Sequence, residues 1–142
     1  MKQHNIQCFT QHPQKKVSHA FFRSLVTRVL QGENWKDAVV LNIVYVDETE
    51  MQRLNAEYTG KKASTDVLAF NLSEPESELE GEVYINLNRA AEQAHDYSVP
   101  FDNEVQRLTI HGVLHLLGYN DDIEENKKRM KEREDFYLES DV

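Results

Sequence analysis

Residues 111–121 read HGVLHLLGYND, a segment of the form HxxxHxxGxxD that spaces three candidate metal ligands as zinc hydrolases do. His111 and His115 are four positions apart, so on a helix they lie on one face and both imidazoles can reach one ion. Gly118 can adopt the left-handed conformation that ends a helix, which lets the chain fold back and present Asp121 as a third ligand. Three protein ligands leave a coordination position open for water, as in catalytic zinc sites.

The acidic end of this segment admits more than one assignment. Asp121 lies between Asn120 and Asp122, and either acid can serve as a ligand, as the N-cap of a following helix or as a turn residue. The spacing favours Asp121 for the metal and leaves Asp122 or Asn120 as the cap. Gly112 occupies the position at which HExxH peptidases carry the glutamate that acts as general base, so that base is missing from its usual place.

The surrounding sequence predicts an α+β domain, a small mixed sheet packed with helices, in which the metal-binding helix is central. Apolar patterns predict these elements: strand 6–10, helix 17–30, strand 39–46, a helix from the capping pair Asp47 and Glu50 to Tyr58, strands 67–72 and 82–87, a helix from its cap Asn88 to His95, a helix opened by Pro100, and helix 123–138. Apolar residues surround the axis of the helix after Pro100, which predicts its burial. The acidic loop 73–81 and the charged helix 123–138 are expected to be solvated, the helix with i,i+4 ion pairs.

Length and composition predict one domain, residues 1–142, with a single core. No apolar run approaches the length of a membrane span and the N-terminal residues are too polar for a signal peptide, so we expect a cytoplasmic protein that does not enter a membrane. The single Cys8 is expected to be a buried residue of a strand. Four histidines outside the motif are expected to be exposed rather than ligating: His4, His12, His19 and His95.

The charge balance limits how the protein can bind nucleic acid. Its 16 Lys and Arg residues against 25 Asp and Glu residues give a formal net charge of −9. A broad phosphate-binding surface normally has the opposite sign. Any contact with nucleic acid is therefore expected to be local.

Residues 111–121 resemble the signature HGxLHLxGYDH of the YbeY family, the bacterial metal-dependent endoribonucleases of ribosomal RNA maturation. The sequence departs from the signature at its last two positions, where Asn120 replaces Asp and Asp121 replaces the third His. The resemblance implies one zinc ion per chain, bound by His111, His115 and Asp121. An aspartate oxygen is an acceptable zinc ligand, but its charge is expected to acidify bound water less than a third neutral imidazole would.

Other segments resemble family blocks in the family's order, so the resemblance extends from residue 39 to residue 137. These segments are residues 54–58, similar to LNxxYR, residues 64–70, similar to PTDVLSFP, and residues 81–85, similar to GDIxI. The family's arginine after that tyrosine, thought to act in the cleft, is Thr59 here. The resemblance suggests that Lys61 or Lys62 supplies the positive charge instead, and a solvated loop is the alternative interpretation of both lysines.

The resemblance implies a zincin-like fold and a zinc-dependent, single-strand-specific endoribonuclease that acts in small-subunit ribosomal RNA maturation and ribosome quality control. Its catalytic residues are expected to be His111, His115, Lys61 and Lys62, with one of the lysines offsetting charge on the phosphorane. The general base is not identified; the two candidates on chemical grounds are Asp66 and Asp122. The expected partners are single-stranded or ribosomal RNA and the ribosome or ribosomal proteins, whereas the oligomeric state is not predicted.

Two other functions use the same residues differently. A zinc peptidase or amidase would have the same ligands and cut a different bond. A noncatalytic ribosome assembly factor would use zinc as a structural brace. The motif spacing by itself establishes only a metal hydrolase.

Overall fold

The computed structural model describes residues 3–74 and 77–139. Its elements follow in the order β1 (His4–Gln11), α1 (His19–Gly32), β2 (Val39–Val46), α2 (Glu48–Thr59), β3 (Val67–Asn71), β4 (Leu79–Asn86), α3 (Leu87–Tyr97), α4 (Phe101–Leu116) and α5 (Glu124–Glu139). This is the predicted order of strands and helices. Positions 75 and 76 of the predicted acidic loop lie outside the described residues.

The four strands form one mixed sheet in the order β1-β2-β4-β3. β2 pairs parallel to both β1 and β4, whereas β3 pairs antiparallel to β4 and forms one edge of the sheet. The predicted α+β class with a small mixed sheet is therefore confirmed. β3 has β4 on one side, and among the described residues no strand pairs with its other side.

The main core lies on one face of the sheet. Successive side chains of a strand point to opposite faces, so every second strand residue contributes to this core. Ile6 and Cys8 of β1 join Leu41 and Ile43 of β2 there, together with Val83 of β4. A smaller apolar cluster on the opposite face joins strand residues to Met51 of α2. Cys8 is thus the buried residue that the sequence predicts, and burial raises the pKa of its thiol to about 11.

The predicted central helix is α4, which packs against β3, β4, α1, α3 and α5. Its buried side chains point in several directions and include Val105, Leu108, Ile110, Val113 and Leu114. Gly112 allows the helix to approach the sheet closely, because a Cβ at this position would lie 2.4 Å from Cγ1 of Val83. Burial on several sides holds α4, and therefore the side chains of residues 111 and 115, in a fixed orientation.

The predicted cap of α2 is correct and that of α3 is not. Asp47 caps α2, since its carboxylate accepts a hydrogen bond from the amide of Glu50 at 2.8 Å. α3 is capped by Asn86 and begins at Leu87, two residues earlier than predicted, because the side-chain oxygen of Asn86 accepts hydrogen bonds from the amides of Asn88 and Arg89, each at 3.1 Å. The side chain of Asn88 is engaged elsewhere.

No helix within the described residues combines the length and the apolar character needed to cross a membrane.

Candidate metal centre

The last two turns of α4 place His111 and His115 on one face, with their ring centroids 4.7 Å apart and their Nε2 atoms 3.1 Å apart. The helix ends at Leu116, and Gly118 then has a φ of 107°, a conformation that glycine adopts without steric cost. The chain turns back there and brings Asp121 to the two rings. One oxygen of Asp121 lies 3.6 Å from Nε2 of His111 and the other lies 3.7 Å from Nε2 of His115.

These three side chains have a spacing suited to a divalent metal ion. Ligand atoms at about 2.0–2.2 Å from a tetrahedrally coordinated zinc lie roughly 3.3–3.6 Å from one another. The two Nε2 atoms are 3.1 Å apart, each lies within 3.7 Å of one of the two Asp121 oxygens, and one ligand atom from each residue can be chosen so that all three lie within 4.8 Å of one another. Two imidazoles and one carboxylate also form a donor set that zinc commonly uses. His111, His115 and Asp121, which we call the triad, therefore fit a metal ion as they stand.

Glu134 of α5 supports the triad from outside. Its Oε2 lies 2.7 Å from Nδ1 of His111, so this ring nitrogen carries the proton and Nε2 is left free for a metal. Burial lowers the pKa of His111, but the hydrogen bond and charge of Glu134, with the charges of Asp121 and Asp66, raise it above its ordinary value. Burial and the neighbouring His111 lower the pKa of His115. Glu134 is absent from the site residues predicted from the sequence. The feature of the sequence that points to it is its i+4 spacing from the apolar Met130, which places both residues on the same side of an otherwise charged helix.

A second set of contacts fixes the turn that carries Asp121. The hydroxyl of Tyr119, in this turn, donates to the carboxylate of Glu33 at the end of α1. The same carboxylate accepts from Arg133 of α5 at 2.7 Å and from the hydroxyl of Tyr137. Glu33 thus joins α1, the ligand turn and α5, although it lies 88 positions from Asp121 in the sequence.

Two open cavities meet at the triad. The first, about 410 Å³, lies between β3 and the end of α4, and its lining includes His111, His115, Asp121 and Asp66. The second, about 500 Å³, lies between α4 and α5, and its lining includes His111 and Asp121 together with Arg107, Lys127 and Lys131. The triad is therefore accessible to a substrate from two sides.

The candidate general bases are placed differently. Asp66 lines the first cavity beside the triad, and its Oδ2 accepts a hydrogen bond from Nε2 of Gln93 at 3.2 Å. Asp122 is exposed, and its Oδ1 accepts from Nδ2 of Asn126 at 3.0 Å. The structure thus places Asp66, but not Asp122, among the residues that line a cavity with the triad.

The predicted catalytic lysines are exposed on the loop between α2 and β3. The side chain of Asn55 holds this loop by donating to the backbone oxygens of Lys61 and Ala63, at 3.3 and 3.0 Å. Among the described residues that line the two cavities at the triad, the cations are Arg107, Lys127 and Lys131, and neither Lys61 nor Lys62.

The other histidines, like Asp122, lie outside the triad. His4 contacts the backbone oxygen of Asp37, His12 the side chain of Asn88, and His19 the hydroxyl of Thr10. His95 is exposed as expected, whereas the other three are half-buried.

Comparison with known proteins gives a consistent result. The sequence profile of the family described as Endoribonuclease YbeY matches residues 5–140. A relative named Endoribonuclease YbeY from Caldanaerobacter subterraneus subsp. tengcongensis is 38% identical, over 89% of this chain and 91% of the relative. One of the same name from Amoebophilus asiaticus is 32% identical, over 97% of this chain and 94% of the relative. A solution structure of a Thermotoga maritima protein matches with a TM-score of 0.63 and 28% identity, over 94% of this chain and 87% of that chain.

Proposed function

Because this chain belongs to the YbeY family of endoribonucleases, we propose that it cleaves single-stranded RNA with one zinc ion bound by His111, His115 and Asp121. It is a nuclease that acts on phosphodiester bonds of RNA. The observation that carries the proposal is a triad with metal-ligand spacing at the meeting point of two open cavities. The substrate we propose is small-subunit ribosomal RNA during its maturation, with a further role in ribosome quality control.

We assign separate catalytic roles to the metal-binding residues and to Asp66. The chemistry that a zinc ion would supply in this site is that of a Lewis acid toward a phosphoryl oxygen and toward a water or ribose hydroxyl. His111, His115 and Asp121 would hold that ion, and Glu134 fixes the ring of His111. We assign the general base to Asp66, which lines the cavity between β3 and α4 and is oriented by Gln93.

The charge that develops on the phosphate needs a cation. Lys61 and Lys62 remain the sequence-based candidates, because their loop leads directly to Asp66. An acidic enzyme also needs help in finding RNA, so we propose that the ribosome or a ribosomal protein presents the substrate. A substrate of this kind is the reason for which we propose a cytoplasmic location.

The peptidase alternative meets a steric obstacle. A glutamate at position 112, which the HExxH mechanism requires, would bring its Cβ to 2.4 Å from Cγ1 of Val83. The alternative of a purely structural zinc is less consistent with the exposure of the ligands, since the side chains of His115 and Asp121 are 31% and 45% exposed. Structural zinc sites are usually closed by four protein ligands.

The deciding experiment uses protein purified without an affinity tag, after analysis of its metal content. Wild type, His115→Ala and Asp66→Asn are each incubated with a single-stranded RNA, a duplex of the same sequence and an unstructured peptide. We expect wild type to cut the single strand, a chelator to stop cleavage and zinc to restore it. His115→Ala should lose metal and cleavage, whereas Asp66→Asn should keep the metal and cut about 10²- to 10⁴-fold more slowly.

The other functions predict different results. Peptide cleavage without RNA cleavage would establish the peptidase or amidase. A wild-type protein that never cuts RNA, together with a His115→Ala variant that loses stability and ribosome binding, would establish the structural brace. An Asp66→Asn variant as active as wild type would remove Asp66 from the mechanism.

A further inference from the structure

The cavity between α4 and α5 brings three cations together in an acidic protein, on a lining that they share with the carboxylates of Glu104, Asp121 and Glu134. The chain has a net charge of −9, yet Arg107, Lys127 and Lys131 all line this cavity of about 500 Å³. The cavity opens onto His111 and Asp121 of the triad. None of these three cations is among the catalytic residues predicted from the sequence.

Arg107 is held in a fixed position with part of its guanidinium free. Its Nη1 lies 3.2 Å from Oε1 of Glu134 and 3.3 Å from Oδ1 of Asp135, and its Nε lies 3.7 Å from Oε1 of Glu104. Within residues 3–74 and 77–139, no hydrogen bond or ion pair engages Nη2 of this side chain, which is 26% exposed. Nη2 is therefore available to a ligand in the cavity.

The position of Arg107 is coupled to the metal ligand. Arg107 lies one helical turn before His111 on α4, about 6 Å along the helix axis. Glu134 binds both side chains, with Oε1 on Arg107 and Oε2 on Nδ1 of His111. A group that contacts Arg107 is thereby held at a set distance from the triad.

The cations of the cavity differ in how their acidic partners hold them. Glu104 is buried, and its Oε1 has no hydrogen-bond partner within the described residues. Burial raises the pKa of Glu104 above its ordinary value, against the lowering effect of Arg107 and together with the charges of Asp66 and Glu134. Within the part of the chain that the structure describes, the ion pairs of Lys127 and Lys131 lie at the surface, at 3.8 Å with Glu124 and 3.2 Å with Asp135. Such exposed pairs are weak and can be exchanged for a phosphate.

We propose that this cavity binds a phosphodiester group next to the one that is cleaved, with Arg107 contacting the phosphate and Lys127 and Lys131 at the rim. The proposal rests on the proposed RNA cleavage. A guanidinium with a free NH₂ group binds phosphate oxygens in a defined geometry, which an ammonium group does not impose. Arg107 would thereby supply, from α4, the positive charge that is absent at Thr59.

The test measures kcat and KM for a single-stranded RNA over a range of salt concentrations, together with metal content. Arg107→Ala should raise KM about tenfold or more, the effect expected for one charged hydrogen bond. Lys127→Ala/Lys131→Ala should raise KM and lower the slope of log affinity against log salt by about 0.7 for each phosphate that the variant no longer neutralises. Lys128→Ala is the matched control, because Lys128 is exposed on the same helix and does not line this cavity. It should behave as wild type.

Three results distinguish this proposal from its alternatives. An Arg107→Ala variant that needs more zinc for activity, but has the wild-type KM and salt slope once zinc is saturating, would show that Arg107 only positions Glu134, and would overturn the proposal. The proposal is also overturned if charge reversal at Lys61 and Lys62 changes the slope of log affinity against log salt, while the Arg107 and Lys127/Lys131 variants leave that slope unchanged. The Lys127→Ala/Lys131→Ala variant keeps the test valid if Arg107→Ala fails to fold. If wild type cuts no RNA, the proposed function itself fails.

Discussion

His111 is constrained through both nitrogens of its ring. Nε2 faces the triad and Nδ1 faces Glu134, which leaves the imidazole one productive orientation. The helical period predicts from sequence that His111 and His115 share a face. The left-handed backbone conformation open to Gly118 predicts that the chain folds back and brings Asp121 to the two histidines. Glu134 could not be found in this way, because its contact with His111 depends on how α5 packs against α4.

The role of Asp121 as a ligand can be tested by exchanging its chemistry. Because imidazole is a better match to zinc than carboxylate oxygen, Asp121→His should tighten zinc binding. Asp121→Ala should weaken it by more than the roughly 10- to 100-fold typical of losing a residue that only supports a ligand. Competition with a chromogenic chelator measures both affinities, with Asp122→Ala as the control. Equal affinities in all of these proteins would mean that Asp121 does not bind the metal.

The contact of Glu134 with His111 leads to a second prediction at this scale. Glu134→Gln replaces a charged acceptor by a neutral one, so zinc affinity should fall about 10- to 100-fold. The control is Asp135→Asn, which alters a contact of Arg107 but none of His111. Zinc affinity is measured by the same chelator competition. A Glu134→Gln variant that binds zinc as tightly as the control would contradict the assigned role.

At the scale of elements, the sequence predicts the helix α4 well and α5 less completely. Apolar residues all around α4 indicate burial, and the structure buries that helix. The charge of α5 predicts a solvated helix, and Lys131 with Asp135 forms an i,i+4 pair of that kind. One side of α5 nevertheless buries Met130, Glu134 and Tyr137. The spacing from Met130 indicates that Glu134 lies on the buried side of α5, but not which groups it contacts, because its partners Arg107 and His111 are distant in the chain.

The packing of α4 on the sheet gives a prediction about stability. Gly112→Ala places a methyl group 2.4 Å from Cγ1 of Val83, and such overpacking should lower the free energy of unfolding by about 1–3 kcal/mol. Urea denaturation measures the change. In a Val83→Ala background the same substitution should cost less, because the clashing atom is gone. Costs that simply add in the double variant would contradict this account.

At the scale of the whole molecule, Glu33 links parts of the chain that no local pattern connects. It joins the end of α1, the ligand turn and α5 through Tyr119, Arg133 and Tyr137. Burial raises the pKa of Glu33, but the hydrogen bonds from these three side chains outweigh it and hold the pKa below its ordinary value of 4.5. A carboxyl whose pKa is lowered by folding stabilises the native state most above its unfolded pKa.

The pH dependence of this link can be predicted. Glu33→Gln should lower the free energy of unfolding at pH 7 by roughly 1.5–3 kcal/mol, the range for hydrogen bonds to a charged group. The difference from wild type should narrow as the pH falls below about 4.5, because wild type then loses the charge as well. Urea denaturation at several pH values measures it, with the exposed Glu132→Gln as the control. A difference that stays constant down to about pH 3.5 would contradict the assignment.

The close contact at Gly112 also restricts how this scaffold can evolve. Acquiring the glutamate of an HExxH peptidase would press its Cβ against Val83 and, at 3.2 Å, against Val67. The new residue would be tolerated only after a neighbour on β3 or β4 had become smaller, and that smaller neighbour alone leaves a destabilising cavity. Either substitution alone, the glutamate at position 112 or the smaller neighbour, lowers the stability of the fold, although the two together need not. This dependence of one substitution on the other is sign epistasis. Directed evolution toward peptide hydrolysis would therefore have to introduce both changes at once.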